Sequence, residues 1–214
     1  MVFRRNHSHN FRFGGIKMKF KLLGTEIYVS FLFAAVISIM LAFDKTGLAL
    51  PTLIAVTSHE LGHLCVMWML ESTPKSIRLI PASVQITRNF SYSYKNDILI
   101  ALSGPAVNLL LFFVFYINYL TFKNYGVFCY AIINLIVCLF NMLPVTGLDG
   151  GTVLFSLIAK KGDVNRAMLT LRIITLFLAS AALFLAITLT LRGKLNISVY
   201  IVAIYLFMSV IVKI

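Results

Sequence analysis

The sequence predicts an all-α polytopic membrane protein with about six transmembrane helices and a small β-hairpin at the membrane surface. Three observations predict it. AVILMFWYC residues make up 60% of the 214 and charged residues only 12%, against roughly 45–50% and about 25% in water-soluble domains. Mean hydropathy is +0.93. The apolar residues also fall in charge-free blocks close to the roughly 20 residues that a helix needs to cross the hydrocarbon core.

The first block, Ile27 to Phe43, follows the basic residues Arg4, Arg5, Arg12, Lys17, Lys19 and Lys21. No small-residue cleavage site follows it, so it reads as a retained helix and not as a removed signal peptide. Residues 1–24 are then a basic cytoplasmic tail, with Met18 an alternative start, and 25–214 form one transmembrane domain. The second block, Gly47 to Trp68, has Glu60 as its one charge; Ile98 to Phe122 is the third and Tyr125 to Leu148 the fourth. Ile173 to Leu191 and Leu195 to Val212 complete six.

Two connecting segments are not plain loops. Residues Ile77 to Thr87 form two short alternating runs around Pro81-Ala82-Ser83, which predicts a hairpin. After Leu143, the stretch Pro144-Val-Thr-Gly-Leu-Asp-Gly-Gly151 breaks helicity at Pro144, Gly147 and Gly150-Gly151. Irregular backbone at membrane depth survives only when buried in protein or lining a wet cavity. Gly104-Pro105 reads as a kink that lets helices pack closely.

The net charge of +12 arises from seven acids against 19 Lys and Arg, and the bases lie between apolar blocks. That is the pattern of positive loops around membrane helices, so the expected partner is the lipid bilayer and no nucleic acid. With the N-terminus inside, 15 bases lie on the inner side and four (Lys45, Lys123, Arg192, Lys194) on the outer, which sets a cytoplasmic N-terminus. Cys65, Cys129 and Cys138 all fall in apolar runs and are odd in number, so they read as small core hydrophobes.

The second block contains His59-Glu60-Leu61-Gly62-His63. On a helix, i and i+4 lie on one face a turn apart, so both imidazoles can reach one Zn²⁺. Glu60, about 100° round from His59, can serve as general base toward a bound water. Two His and a Glu inside a span are also costly unless they act. A catalytic zinc takes a third protein ligand. His7 and His9 lie in the tail, and most acids lie at block ends or in loops, whereas Asp149 lies in the broken segment after the fourth block. Asp149 reads as that ligand, or as the N-cap of the run that follows. Cys65, about 200° from His63 on the helix, is excluded.

His59-Glu60-x-x-His63 together with Asn141-x-x-Pro144-x-x-x-x-Asp149-Gly150 resembles the site-2 protease family of intramembrane zinc metalloproteases. Gly104-Pro105-x-x-Asn108 resembles an element of the same family, and the likeness spans about residues 48–158. It implies a zinc metalloendopeptidase holding one Zn²⁺ through His59, His63 and Asp149, with Glu60 catalytic and Asn108 and Asn141 near the site as substrate-binding residues. Within the family, the compact plan is most similar to the stage IV sporulation protein FB subgroup, without its CBS domain. That implies regulated intramembrane proteolysis in a bacterial cell membrane, with a sigma-factor or other regulatory precursor as candidate substrate. Such a substrate is a transmembrane or membrane-associated protein cut near the cytoplasmic side, and regulatory membrane proteins are further candidate partners. A divalent-metal transporter could use the same His and Asp ligands, but it has no need of Glu60 beside His59.

Overall fold

The computed structural model describes residues 17–22, 25–71, 76–80, 83–87, 93–193 and 197–211. His7 and His9, the tail residues Arg4, Arg5 and Arg12, and the Pro81-Ala82 turn lie outside the described residues. Helices carry the fold: α1 (Phe31–Ala42), α2 (Ala49–Met69), α3 (Tyr94–Phe122), α4 (Tyr125–Asn141), α5 (Asp149–Ala159), α6 (Val164–Leu191) and α7 (Ile197–Ile211). Two of them, α3 with 29 residues and α6 with 28, are long and apolar enough to cross a membrane. The 21-residue α2 carries the polar run Thr57-Ser58-His59-Glu60 at its middle.

The helix boundaries depart from the charge-free blocks in physically simple ways. The first block opens in strand: Thr25–Ser30 (β2) pairs antiparallel with Lys17–Leu22 (β1), and helix begins only at Phe31. The β-branched Thr25, Ile27 and Val29 alternate with Glu26, Tyr28 and Ser30, a period that a count of charges does not register. Strands Ser76–Ile80 (β3) and Ser83–Thr87 (β4) pair antiparallel, and β2 runs parallel to β3, giving the order β1-β2-β3-β4. Parallel neighbours need a long crossover, and α1 and α2 supply it. Helix α6 starts nine residues before Ile173, because Asp163 caps it by accepting from the Arg166 N–H at 2.8 Å.

The chain forms two compact units, residues 1–141 and 142–214. In the first, α3 packs against both α2 and α4; in the second, α6 packs against α5 and α7. The α2–α3 contact is close at Gly62, where a Cβ would lie 2.9 Å from the Ser103 carbonyl oxygen and from Val107 Cγ2. Helix α3 buries Ile100, Ala101, Gly104, Pro105 and Asn108, and exposes Leu110, Phe113, Val114 and Ile117. Apart from Ile100, small and polar side chains face inward and large apolar ones outward, the inverse of a water-soluble helix. Of the cysteines only Cys138 is buried; Cys65 and Cys129 lie on exposed helix faces, which corrects their reading as core residues.

Candidate metal centre

One helical turn separates His59 from His63, and α2 buries both, with ring centroids 4.7 Å apart and planes at 85°. Their Nε2 atoms face each other at 3.1 Å. What each Nδ1 touches decides which nitrogen carries the hydrogen. His63 Nδ1 lies 2.6 Å from the Ile100 carbonyl oxygen, which can only accept, so Nδ1 is the donor. The Ser103 hydroxyl, 3.3 Å from the same nitrogen, spends its own hydrogen on that carbonyl at 2.6 Å.

His59 Nδ1 lies 2.6 Å from Asn108 Oδ1. The Asn108 amide cannot be turned the other way, because its Nδ2 donates to the Ala55 carbonyl at 3.0 Å and to Asn134 Oδ1 at 2.9 Å. Asn134 is itself fixed, its Nδ2 donating to the Tyr130 carbonyl at 2.9 Å. Both histidines therefore hold their hydrogen on Nδ1 and direct Nε2 as a ligand nitrogen. With their hydrogens on Nδ1, the two Nε2 atoms 3.1 Å apart offer a cation two nitrogen donors.

The close approach of α3 to the pair depends on a missing side chain. A Cβ on Gly104 would lie 2.5 Å from His63 Nε2 and 2.7 Å from His59 Nε2. Two converging imidazole nitrogens fit a borderline-soft divalent ion such as Zn²⁺. Glu60 is half-buried, next to His59 on the same turn. Asn141 ends α4, half-buried, with its Nδ2 donating to the Val137 carbonyl at 3.0 Å.

Asp149 belongs to the second unit, where it is buried in the first turn of α5. The cap position is Leu148, extended in backbone, so Asp149 is not the N-cap that was one of its two readings. A carboxylate in the first turn is favoured by the helix dipole. The broken segment folds back tightly on α5: a Cβ on Gly150 would run into the Met142 carbonyl, and one on Gly151 into that of Val145. Thr146 ties the segment to α6, donating its N–H to Thr175 Oγ1 at 3.0 Å. The Thr175 hydroxyl donates to the Leu171 carbonyl at 2.7 Å, so Thr146 Oγ1, 3.1 Å away, donates to it as well.

Sequence reasoning placed His59, Glu60, His63, Asp149, Asn108 and Asn141 at one site, and of these, side-chain contacts join His59, His63 and Asn108. It missed Asn134 and the role of Gly104. An asparagine in a charge-free block is a signal that could have found Asn134, since an unpaired amide there is costly. No family model matches this sequence, and no curated protein sequence does. Among solved structures, the site-2 protease from Methanocaldococcus jannaschii matches with a TM-score of 0.66 and 22% identity over 91% of this chain and 94% of that one. The likeness is one of fold.

Proposed function

We propose that this chain is an intramembrane zinc metalloprotease of the site-2 type. The observation that carries the reading is the pair of Nε2 atoms on α2, each directed by a hydrogen-bonded Nδ1 and packed close to Gly104. Asp149 is the residue assigned as third ligand with His59 and His63, and three protein ligands leave a fourth position for water. A fold shared with a site-2 protease supports the same assignment. A zinc ion there supplies Lewis acidity and makes a bound water acidic near neutral pH.

The protein's own residues carry the rest. Glu60 takes the proton of the attacking water and returns it to the leaving amine. Asn108, with its amide hydrogens engaged by Ala55 and Asn134, serves the site by holding His59. Asn141 is the side chain assigned to contact substrate. A helical substrate hides its carbonyls, so the scissile segment must be extended, and β4 as a terminal strand of the sheet offers an edge for it. The outward apolar faces of α3 and α6 suit lipid. The 15 to four distribution of bases favours a multi-pass protein with a cytoplasmic N-terminus and cleavage near that side, and the family resemblance implies a bacterial cell membrane. The substrate class is a transmembrane or membrane-associated protein, a sigma-factor or other regulatory precursor among them.

The test is E60Q. Purified wild type and E60Q should hold equal, stoichiometric zinc, while E60Q loses cleavage of a co-reconstituted membrane-protein substrate by about 10²–10⁴-fold. Cleavage unchanged in E60Q, or wild type that binds no zinc, overturns the proposal. Metal flux across vesicles without any cleavage would favour the transporter.

A further inference from the structure

We infer that Asn134 of α4 is a positioning residue for the metal: through Asn108 it fixes which nitrogen of His59 is presented as ligand. The inference rests on the metalloprotease reading above and extends it by one shell. His59 Nδ1 meets Asn108 Oδ1 at 2.6 Å, Asn108 Nδ2 meets Asn134 Oδ1 at 2.9 Å, and Asn134 Nδ2 meets the Tyr130 carbonyl at 2.9 Å. Each contact in this relay has one permitted direction. The Tyr130 carbonyl can only accept, so Asn134 must point nitrogen toward it and oxygen toward Asn108. Asn108 must then point nitrogen toward Asn134 and oxygen toward His59.

Asn108 and Asn134 are 0% and 2% exposed, so water cannot take over a lost contact. Removing the Asn134 oxygen withdraws one of the two acceptors, with Ala55, that hold the Asn108 amide in its working orientation. A flipped Asn108 presents Nδ2 to His59, which forces the hydrogen of His59 onto Nε2, where it blocks ligation. Three helices thus share one ligand: α2 carries the imidazole, α3 the amide that holds it, and α4 the amide that holds the amide.

The experiment compares full-length wild type, N134L, N134D, N108A and N108A/N134L in detergent. Zinc affinity is read by competition with a fluorescent chelator and ligand geometry by the visible absorption of the cobalt-loaded protein. Leu matches Asn in size without an acceptor; Asp keeps the acceptor oxygen. N134L is expected to weaken zinc binding about 10–100-fold and to alter the cobalt spectrum. N134D, which keeps the acceptor but loses the donor to Tyr130, should bind zinc more tightly than N134L, and N134L should add little to the loss in N108A. N134S, which withdraws the acceptor with a smaller change in packing, replaces N134L if that variant does not fold. A wild-type affinity and spectrum in the variant, or a loss fully additive with N108A, overturns the inference while the metalloprotease reading stands. Wild type that takes up neither metal overturns both.

Discussion

His59 and His63 face each other through Nε2 at 3.1 Å while α3 holds both of their Nδ1 atoms, the first through the Asn108 side chain and the second through the Ile100 carbonyl. The metal-binding face of α2 is therefore set by its neighbour. The close approach that this needs is permitted at Gly62 and Gly104, where the two helices meet with almost no side chain between them.

Metal should stabilise the protein, because the paired Nε2 donors exist in the folded chain and not in the unfolded one. A ligand at 100 times its Kd adds about 2.7 kcal/mol to the native state. Unfolding temperatures with zinc and with a chelator should differ for wild type, and the difference should vanish in H63A. Equal temperatures for wild type in the two conditions would show that the pair holds no ion.

Gly104 should tolerate no side chain. Alanine is the smallest change available, yet its Cβ would sit 2.5 Å from His63 Nε2 and 2.7 Å from His59 Nε2. G104A is expected to fold and to lose bound zinc and with it proteolysis. Elemental analysis of the purified variant decides it, and a full complement of zinc would mean that the rings can move aside.

The helix-borne half of this site was legible in the sequence because its chemistry is local. His59, Glu60 and His63 occupy one helical turn, and spacing alone predicts which face they share. The partners that orient them were harder to see: Ile100 contributes a backbone carbonyl, which leaves no trace in residue type, and Asn134 lies 75 residues from His59 in sequence. Blocks of apolar residues located α1 to α4, α6 and α7 but not their ends, and α5 falls between two blocks. Charge-free length registers hydrophobicity and is blind to the strand period of Thr25 to Ser30 and to the capped polar turn at Asp163.

The anchoring of the broken segment predicts a stability effect that is separate from metal. Thr175 Oγ1 receives the Thr146 N–H and hydroxyl, and both residues are buried. T175V keeps the shape and leaves a buried N–H unmet, at a cost of about 1–3 kcal/mol. T175S should recover most of it. Chemical denaturation in detergent measures both variants; T175V with wild-type stability would show that the tie contributes nothing.

The entry to α2 predicts a pH dependence. Asp44 Oδ1 accepts from the Thr46 hydroxyl at 2.7 Å and from the Thr46 and Gly47 N–H groups at 2.9 and 3.1 Å, while Oδ2 accepts from the Ala49 N–H at 2.8 Å. These bonds, the Thr46 hydroxyl first, favour the charged form and lower the carboxyl pKa from its ordinary 3.8. A pKa depressed on folding contributes stability that is complete above the unfolded value and is lost as pH falls through the folded one. D44A should therefore unfold at a lower temperature than wild type at neutral pH, by a modest amount because the group is exposed. The gap should close as pH drops below 3.8 and through the lowered folded value. Thermal scans of both proteins across that range test it, and a gap that persists in strong acid would show that the carboxylate charge has no part in capping α2.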